Sequence, residues 1–173
     1  MLEERIANLT DLHFICGCIL YGGRKGHYSI DVDNPDIVKS MKREMQSVIN
    51  SQRLLDTRHA RATIYSIGGK RIAMVIISEA SPGDSCYEIY AMSVIKSHQN
   101  KGYGLQILDS VLNRFVYLDI CARCLPASGR MCHLLSKRGF EFHSMDKAYT
   151  VLLRTAVMDY ALVEPVYMQY GTS

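Results

Sequence analysis

The segment Gln99-Asn100-Lys101-Gly102-Tyr103-Gly104 carries the residue types that grip phosphate. It lies between an apolar stretch that reads as a strand and a helical periodicity that opens at Gly102, so its glycines fall where backbone N–H groups are left unpaired. Those donors and the helix dipole favour a diphosphate, and Lys101 adds a cation beside it. No Gly-Lys-Ser/Thr follows, which excludes a Walker loop. The third glycine and the acidic residue of a dinucleotide fingerprint are missing as well. By itself, a pair of glycines in such a place is equally compatible with a plain turn.

Six cysteines offer a second kind of chemistry. Cys16-x-Cys18 and Cys121-x-x-Cys124 resemble metal-ligand spacings, but both pairs fall inside regular elements rather than knuckle turns. Residues three apart on a strand point to opposite faces, so Cys121 and Cys124 would need a bulge to share an ion. The expectation is no metal, and reduced, mostly buried thiols in a domain large enough to need no disulfides.

The elements that must position these groups follow from periodicity. A short strand is expected at Arg5 to Ala7. Asn8 or Thr10 then caps a helix with Leu12, Ile15, Cys16 and Ile19 on one face, stopped by Gly22-Gly23. A polar stretch from Arg24 to Asp33 leads to Asn34-Pro35, a cap with a first-turn proline. The helix after it carries Ile37, Val38, Met41, Met45, Val48 and Ile49 on one stripe. Arg24, Lys25, Lys39, Lys42, Arg43, Arg53, Arg58 and Arg61 read as a solvated face, with a polyanion site as the alternative.

Ala62 to Ile67 and Arg71 to Ser78 form a hairpin about Gly68-Gly69, and Cys86 to Ile95 a third strand. The helix from Gly102 buries Leu105, Ile107, Leu108, Val111, Leu112 and Phe115. A strand at Tyr117 to Cys124, a helix at Ser128 to Arg138, and strands at Phe140 to His143 and Tyr149 to Arg154 complete the chain. This order predicts an α/β (α+β) fold with a mixed, mostly antiparallel, twisted sheet of six to seven strands flanked by about four helices. Residues 1–173 are expected to be a single domain, with 156–173 a C-terminal extension that covers the sheet or pairs with a second copy in a homodimer.

The net charge of +3 gives no field that would by itself recruit nucleic acid or an anionic membrane. A charged N-terminus and short apolar runs predict no membrane association and a cytoplasmic location, although signal-free secretion would leave the same trace.

The motif from Gln99 to Gly104 resembles the GNAT superfamily of acyl-CoA N-acyltransferases, whose signature is Gln/Arg-x-x-Gly-x-Gly/Ala between the fourth strand and third helix. The stretch from Glu88-Ile89-Tyr90-Ala91-Met92-Ser93-Val94 to Gly104-Leu105 is similar to the histone and protein lysine acetyltransferase branch, in which a strand glutamate precedes the first motif glycine by fourteen residues; Glu88 and Gly102 share that separation. Lys137-Arg138-Gly139-Phe140 resembles the family's Leu-Tyr-x-x-x-Gly-Phe ending.

The resemblance implies acetyl-CoA as co-substrate. Its diphosphate would lie on Gln99, Asn100, Lys101, Gly102, Tyr103 and Gly104, with Leu105 starting the helix. Its pantetheine arm would pair with Met92, Ser93 and Val94 as an added strand, and the N–H near Met92 would hold the thioester oxyanion. An attacking amine must lose a proton, and Glu88, in an otherwise apolar strand, could take it through water. The alternative for Glu88 is a salt bridge with a nearby arginine on the sheet surface. Tyr90 and Met92 share the parity of Glu88, so all three should line one face unless a bulge intervenes, with Tyr90 a wall of the acceptor cleft.

One position departs from the family pattern. Leu135 stands where many members have the tyrosine that protonates the CoA thiolate. Cys132, His133, Ser136, Tyr103 and the tail tyrosines Tyr160, Tyr167 and Tyr170 are candidate substitutes, and solvent is another. The expected function is an N-acetyltransferase acting by direct attack in a ternary complex on a protein lysine, an aminoacyl-tRNA or a small amine. Leu135 also leaves open a non-catalytic acyl-CoA sensor.

Overall fold

The structure, a computed structural model, describes residues 1–156. Nearly all of the C-terminal extension, including Tyr160, Tyr167 and Tyr170, lies outside the described residues. The elements are β1 (Glu3–Ile6), α1 (Leu12–Arg24), α2 (Pro35–Ser51), β2 (Ala60–Ile67), β3 (Lys70–Glu79), β4 (Tyr87–Val94), α3 (Tyr103–Arg114), β5 (Ile120–Cys124), α4 (Gly129–Ser136), β6 (Glu141–Asp146) and β7 (Tyr149–Arg154). Seven strands form one sheet in the order β1-β2-β3-β4-β5-β7-β6, and every neighbouring pair is antiparallel except β4 with β5. This is the mixed sheet with four helices that the periodicities predict.

Each face of the sheet has its own apolar layer. Ile15, Ile19, Met41, Met45 and Val48 of α1 and α2 pack on Ala62, Ile64, Met74 and Ile76. On the other face Ile107, Leu108, Val111 and Leu112 of α3, with Leu135 of α4, meet Tyr65, Val75, Ile89 and Ile120. Full burial of side chains of this size contributes about 1.5–3 kcal/mol each before entropy is counted.

A buried carboxylate ties the start of α1 to the sheet. Asp11 has no solvent exposure and accepts from both terminal nitrogens of Arg5 at 2.7 Å, from Arg71 Nε at 2.7 Å and from the Asn8 N–H at 2.8 Å. The Asn8 side chain in turn accepts from the Thr10 N–H, which completes a capping box. Hydrogen bonds from Arg5 hold the Asp11 carboxyl down to about 2, against the opposing effect of burial.

Several local expectations change. Gly22 and Gly23 do not end α1, which runs on to Arg24. They make room for the connection to α2: a Cβ on Gly22 would clash with the edge of the Tyr28 ring, and one on Gly23 would meet Ile30 and Val32. The segment expected to be a solvated polar stretch therefore folds back onto α1, and Tyr28 and Ile30 join its core. Among the basic residues expected on a solvated face, Arg58 is turned inward with a side chain only 14% exposed.

The site is opened by an irregularity in β4. Ile76 pairs with Ala91 but Ile77 pairs with Ile89, so Tyr90 is an extra residue in a β-bulge. Beyond this bulge the alternation is reversed. Ile89 joins the α3 side, Tyr90 and Ala91 both join the α1–α2 side, and Met92 and Val94 return to the α3 side. Glu88 and Tyr90 thus share a face, as expected, but Met92 does not.

Candidate active site

Parallel pairing of β4 with β5 covers only Tyr87 opposite Ile120 and Glu88 opposite Cys121. Past that point the strands splay, and a cleft of about 790 Å³ opens between them. One wall is β4 from Ile89 to Val94, and the other is Ala122, Arg123 and Cys124 of β5 with the start of α4.

Which backbone groups face this cleft follows from two side-chain bonds. The Met92 carbonyl accepts from Tyr28 Oη at 2.8 Å, and the Val94 carbonyl accepts from Gln99 Nε2 at 2.8 Å. Both carbonyls therefore point away from β3. In an extended residue the N–H and C=O point to the same edge, so the amides of Met92 and Val94 also face the gap, where no β5 residue is in register. They are an open strand edge, the arrangement that receives an added strand.

The glycine turn continues that edge. Gly102 caps α3 with φ of +82°, and Asn100 has φ of +61°. Among the described residues no acceptor is found for the N–H groups of Asn100, Lys101 or Gly102, and those of Tyr103 and Gly104 are the first-turn donors of α3. A side chain at Gly102 would meet nothing within 4 Å, so this position requires glycine for its left-handed backbone rather than for space. Arg130, at the start of α4, donates to Asn100 Oδ1 and brings a second cation to the turn beside Lys101. Strand amides and a helix N-terminus in one line fit the shape of an extended amide-bearing arm ending in a diphosphate.

The expected binding residues are largely brought together. Met92, Ser93, Val94, Gln99, Asn100, Gly102, Gly104 and Leu105 line the cleft, whereas Lys101 and Tyr103 stand outside its lining. The Gln99 side chain braces the end of β4 through the Val94 carbonyl.

Glu88 is buried, with 4% of its surface exposed. Its Oε2 accepts from Arg123 Nη1 at 2.7 Å and from Arg58 Nη1 at 3.3 Å, and Arg123, not Glu88, lines the cleft. The ion pair weighed against a catalytic role therefore exists, but in the interior and with two arginines. Tyr90 does line the cleft; its hydroxyl donates to Glu44 Oε2 at 3.1 Å, and the Arg58 guanidinium lies 5.8 Å from its ring. Burial, reinforced by Glu44, raises the Tyr90 phenol above its ordinary value.

Leu135 is wholly buried in the α3-side core, and the neighbouring Met131 and Leu134 present to the cleft instead. Of the substitutes expected for the absent tyrosine, His133 lines the cleft, while Cys132 contacts Cys124. Burial raises the Cys16, Cys18, Cys121 and Cys124 thiols, Cys121 to about 12, so they stay protonated at neutral pH. Among the described residues no three His, Cys, Asp or Glu side chains converge as a metal group, and no helix is long and apolar enough to cross a membrane.

Sequence reasoning missed Tyr28, Arg123 and Arg130. Arg123 carried a signal as the one charge in the apolar run Ile120 to Leu125. Tyr28 carried none, because its place depends on the turn after α1.

The model of the acetyltransferase (GNAT) family matches residues 32–140, and the chain belongs to that family. No curated protein matches it in sequence. Solved structures share the fold at low identity. The PaiA N-acetyltransferase from Thermoplasma acidophilum in complex with coenzyme A is 12% identical, over 90% of this chain and 99% of that one, with a TM-score of 0.64. The spermidine N-acetyltransferase from Vibrio cholerae in complex with CoA and spermine is 14% identical over 88% and 92%, with a TM-score of 0.64. AAC(6')-Ib in complex with ribostamycin and coenzyme A is 15% identical over 89% and 93%, also at 0.64.

Proposed function

We propose that this chain transfers an acetyl group from acetyl-CoA to a primary amine by direct attack within a ternary complex. The observation that carries this reading is the row of donors left unpaired among the described residues, from the Met92 and Val94 amides to the N–H groups of Asn100 to Gly104. The phosphates lie on the turn, with Lys101 and Arg130 beside them, and the arm runs along β4. The Met92 amide then holds the thioester oxygen as charge develops on it.

The amine approaches from the Tyr90 side of the bulge. Glu88 takes its proton through water, with Arg123 between the carboxylate and the cleft. Neighbours of the same fold crystallised with spermine or ribostamycin make small polyamines a fair first acceptor class. The spacing of Glu88 and Gly102 keeps a protein lysine in view, and the basic residues near Lys25 and Lys39 to Arg43 keep an aminoacyl-tRNA in view.

The test is incubation with acetyl-CoA and a panel of polyamines, aminoglycosides, lysine peptides and aminoacyl-tRNA while free thiol is followed. Release of thiol with one acceptor class supports transfer and names the substrate. The second reading is an acyl-CoA sensor, favoured by the burial of Leu135 and by the double ion pair of Glu88. Thermal stabilisation by acetyl-CoA with no thiol released under any condition would select it.

A further inference from the structure

Acetyl transfer turns the CoA sulfur into a thiolate, and the leucine at position 135 lies in the core with no proton to give. The donors that line the cleft are mostly committed or remote. Tyr90 donates to Glu44 on the α2 side, and Arg123 to Glu88. His133 is an exposed residue of α4. Tyr28 donates as well, but to a neutral backbone carbonyl, a weaker hold than the carboxylates that take Tyr90 and Arg123. It comes from the connection between α1 and α2, its ring edge lies where a Cβ of Gly22 would be, and its hydroxyl reaches across to the Met92 carbonyl at 2.8 Å.

That carbonyl belongs to the residue whose N–H is read above as the oxyanion donor. N and O of one extended residue are about 3 Å apart, and a thioester oxygen sits about 3 Å from the amide that binds it. The Tyr28 oxygen and the thioester oxygen are thus both held on the open edge of the same residue.

We propose that Tyr28 donates its phenolic proton to the departing thiolate, the duty that α4 leaves unfilled in this chain. The assignment rests on the acyl-CoA reading above. As the amine nitrogen bonds to the acetyl carbon, the carbon–sulfur bond breaks with its electron pair going to sulfur. The Tyr28 O–H proton moves to sulfur and releases neutral thiol. The amine's proton passes through the cleft water to Glu88; Glu88 later releases it to solvent as solvent returns one proton to the Tyr28 oxygen, so the net change is one proton moved from amine to thiol.

Burial raises the Tyr28 phenol, opposed by its bond to Met92 and reinforced by Cys18 of α1, so it enters each cycle protonated. The loop is also braced near this point. His27 Nδ1 lies 3.2 Å from Ser128 Oγ, and a Cβ on Gly26 would sit 3.3 Å from Ala127 Cβ, so the connection touches the start of α4 across the cleft.

Tyr28→Phe keeps the ring that packs on Gly22 and removes only the hydroxyl. The first measurement uses free CoA and no acceptor: ionisation of the bound thiol, followed by thiolate ultraviolet absorbance as pH is raised. A phenol donating to sulfur stabilises the thiolate, so the bound thiol should ionise about one pH unit lower in the wild type than in Tyr28→Phe. The second is transfer to the amine found active in the panel. There kcat should fall roughly 10²-fold with the KM for acetyl-CoA unchanged. A hydroxyl that merely ties the loop to β4 would instead raise KM and leave kcat. Identical thiol ionisation in the two proteins overturns the assignment while leaving the acyl-CoA reading intact. Failure of CoA to bind the wild type overturns both.

Discussion

Arg123 Nη1 stands 2.7 Å from Glu88 Oε2, and of the two only Arg123 reaches the cleft. The carboxylate is therefore a base that works from behind a guanidinium, through water, or it is a purely structural anion. Glu88→Gln separates these roles. If Glu88 takes the proton, the variant should bind acetyl-CoA as the wild type does and transfer roughly 10²- to 10⁴-fold more slowly. Calorimetry and thiol release together make the check, and unchanged turnover would reduce Glu88 to a scaffold for Arg58 and Arg123.

Gly102 is needed for its backbone angle alone, since a methyl group there meets no neighbour. Gly102→Ala should cost about 1–2 kcal/mol in denaturant unfolding, because an L-residue is strained at φ of +82°. It should also weaken acetyl-CoA binding at least tenfold as the turn's donors lose their aim. Normal binding would mean that the phosphates lie elsewhere.

Arg130 meets Asn100 at the rim of the phosphate turn. Arg130→Ala should weaken acetyl-CoA binding several-fold at low salt, and the difference should shrink at high salt, where exposed charges are screened. A binding series over ionic strength reads this directly.

Asp11 predicts a pH dependence of folding. Its carboxyl titrates at about 2 in the folded chain and near the ordinary 3.8 when unfolded, so its contribution is present above about pH 4 and is lost as pH falls toward 2. Asp11→Asn should lower stability by about 1–3 kcal/mol at pH 7. The gap between the two proteins should narrow at pH 3, measured by urea midpoints at both pH values.

Gly22 gives way to the Tyr28 ring. Gly22→Ala should displace that ring, cost about 1–3 kcal/mol, and speed hydrogen exchange in residues 26–32. An unchanged exchange pattern would show that α1 shifts instead.

Much of this architecture was legible in the sequence because it rests on periodicity. The stripe Met41, Met45, Val48 announced α2, and Tyr149–Arg154 was read with its observed limits. The glycine turn was legible as a strand-to-helix junction, and its reading as a phosphate site came from the resemblance of Gln99 to Gly104 to the family signature. What escaped depended on contacts between distant segments. The bulge at Tyr90 exists because β3 and β4 differ in count, which neither strand reveals alone, and it moved Met92 to the opposite face. Gly22-Gly23 reads as a helix stop until the ring of Tyr28 is seen to need the space. Arg58 looked like one more surface charge because the carboxylate that draws it inward lies thirty residues away.

The slit between β4 and β5 follows an inserted residue and a pairing only two residues long, neither of which depends on the chemical character of its lining. Exchanging Ala122, Met131 or Leu134 should therefore retune which acyl tail or acceptor is admitted without shutting the doorway. This division lets a lineage change its clientele through side chains while the frame that receives the donor stays as it is.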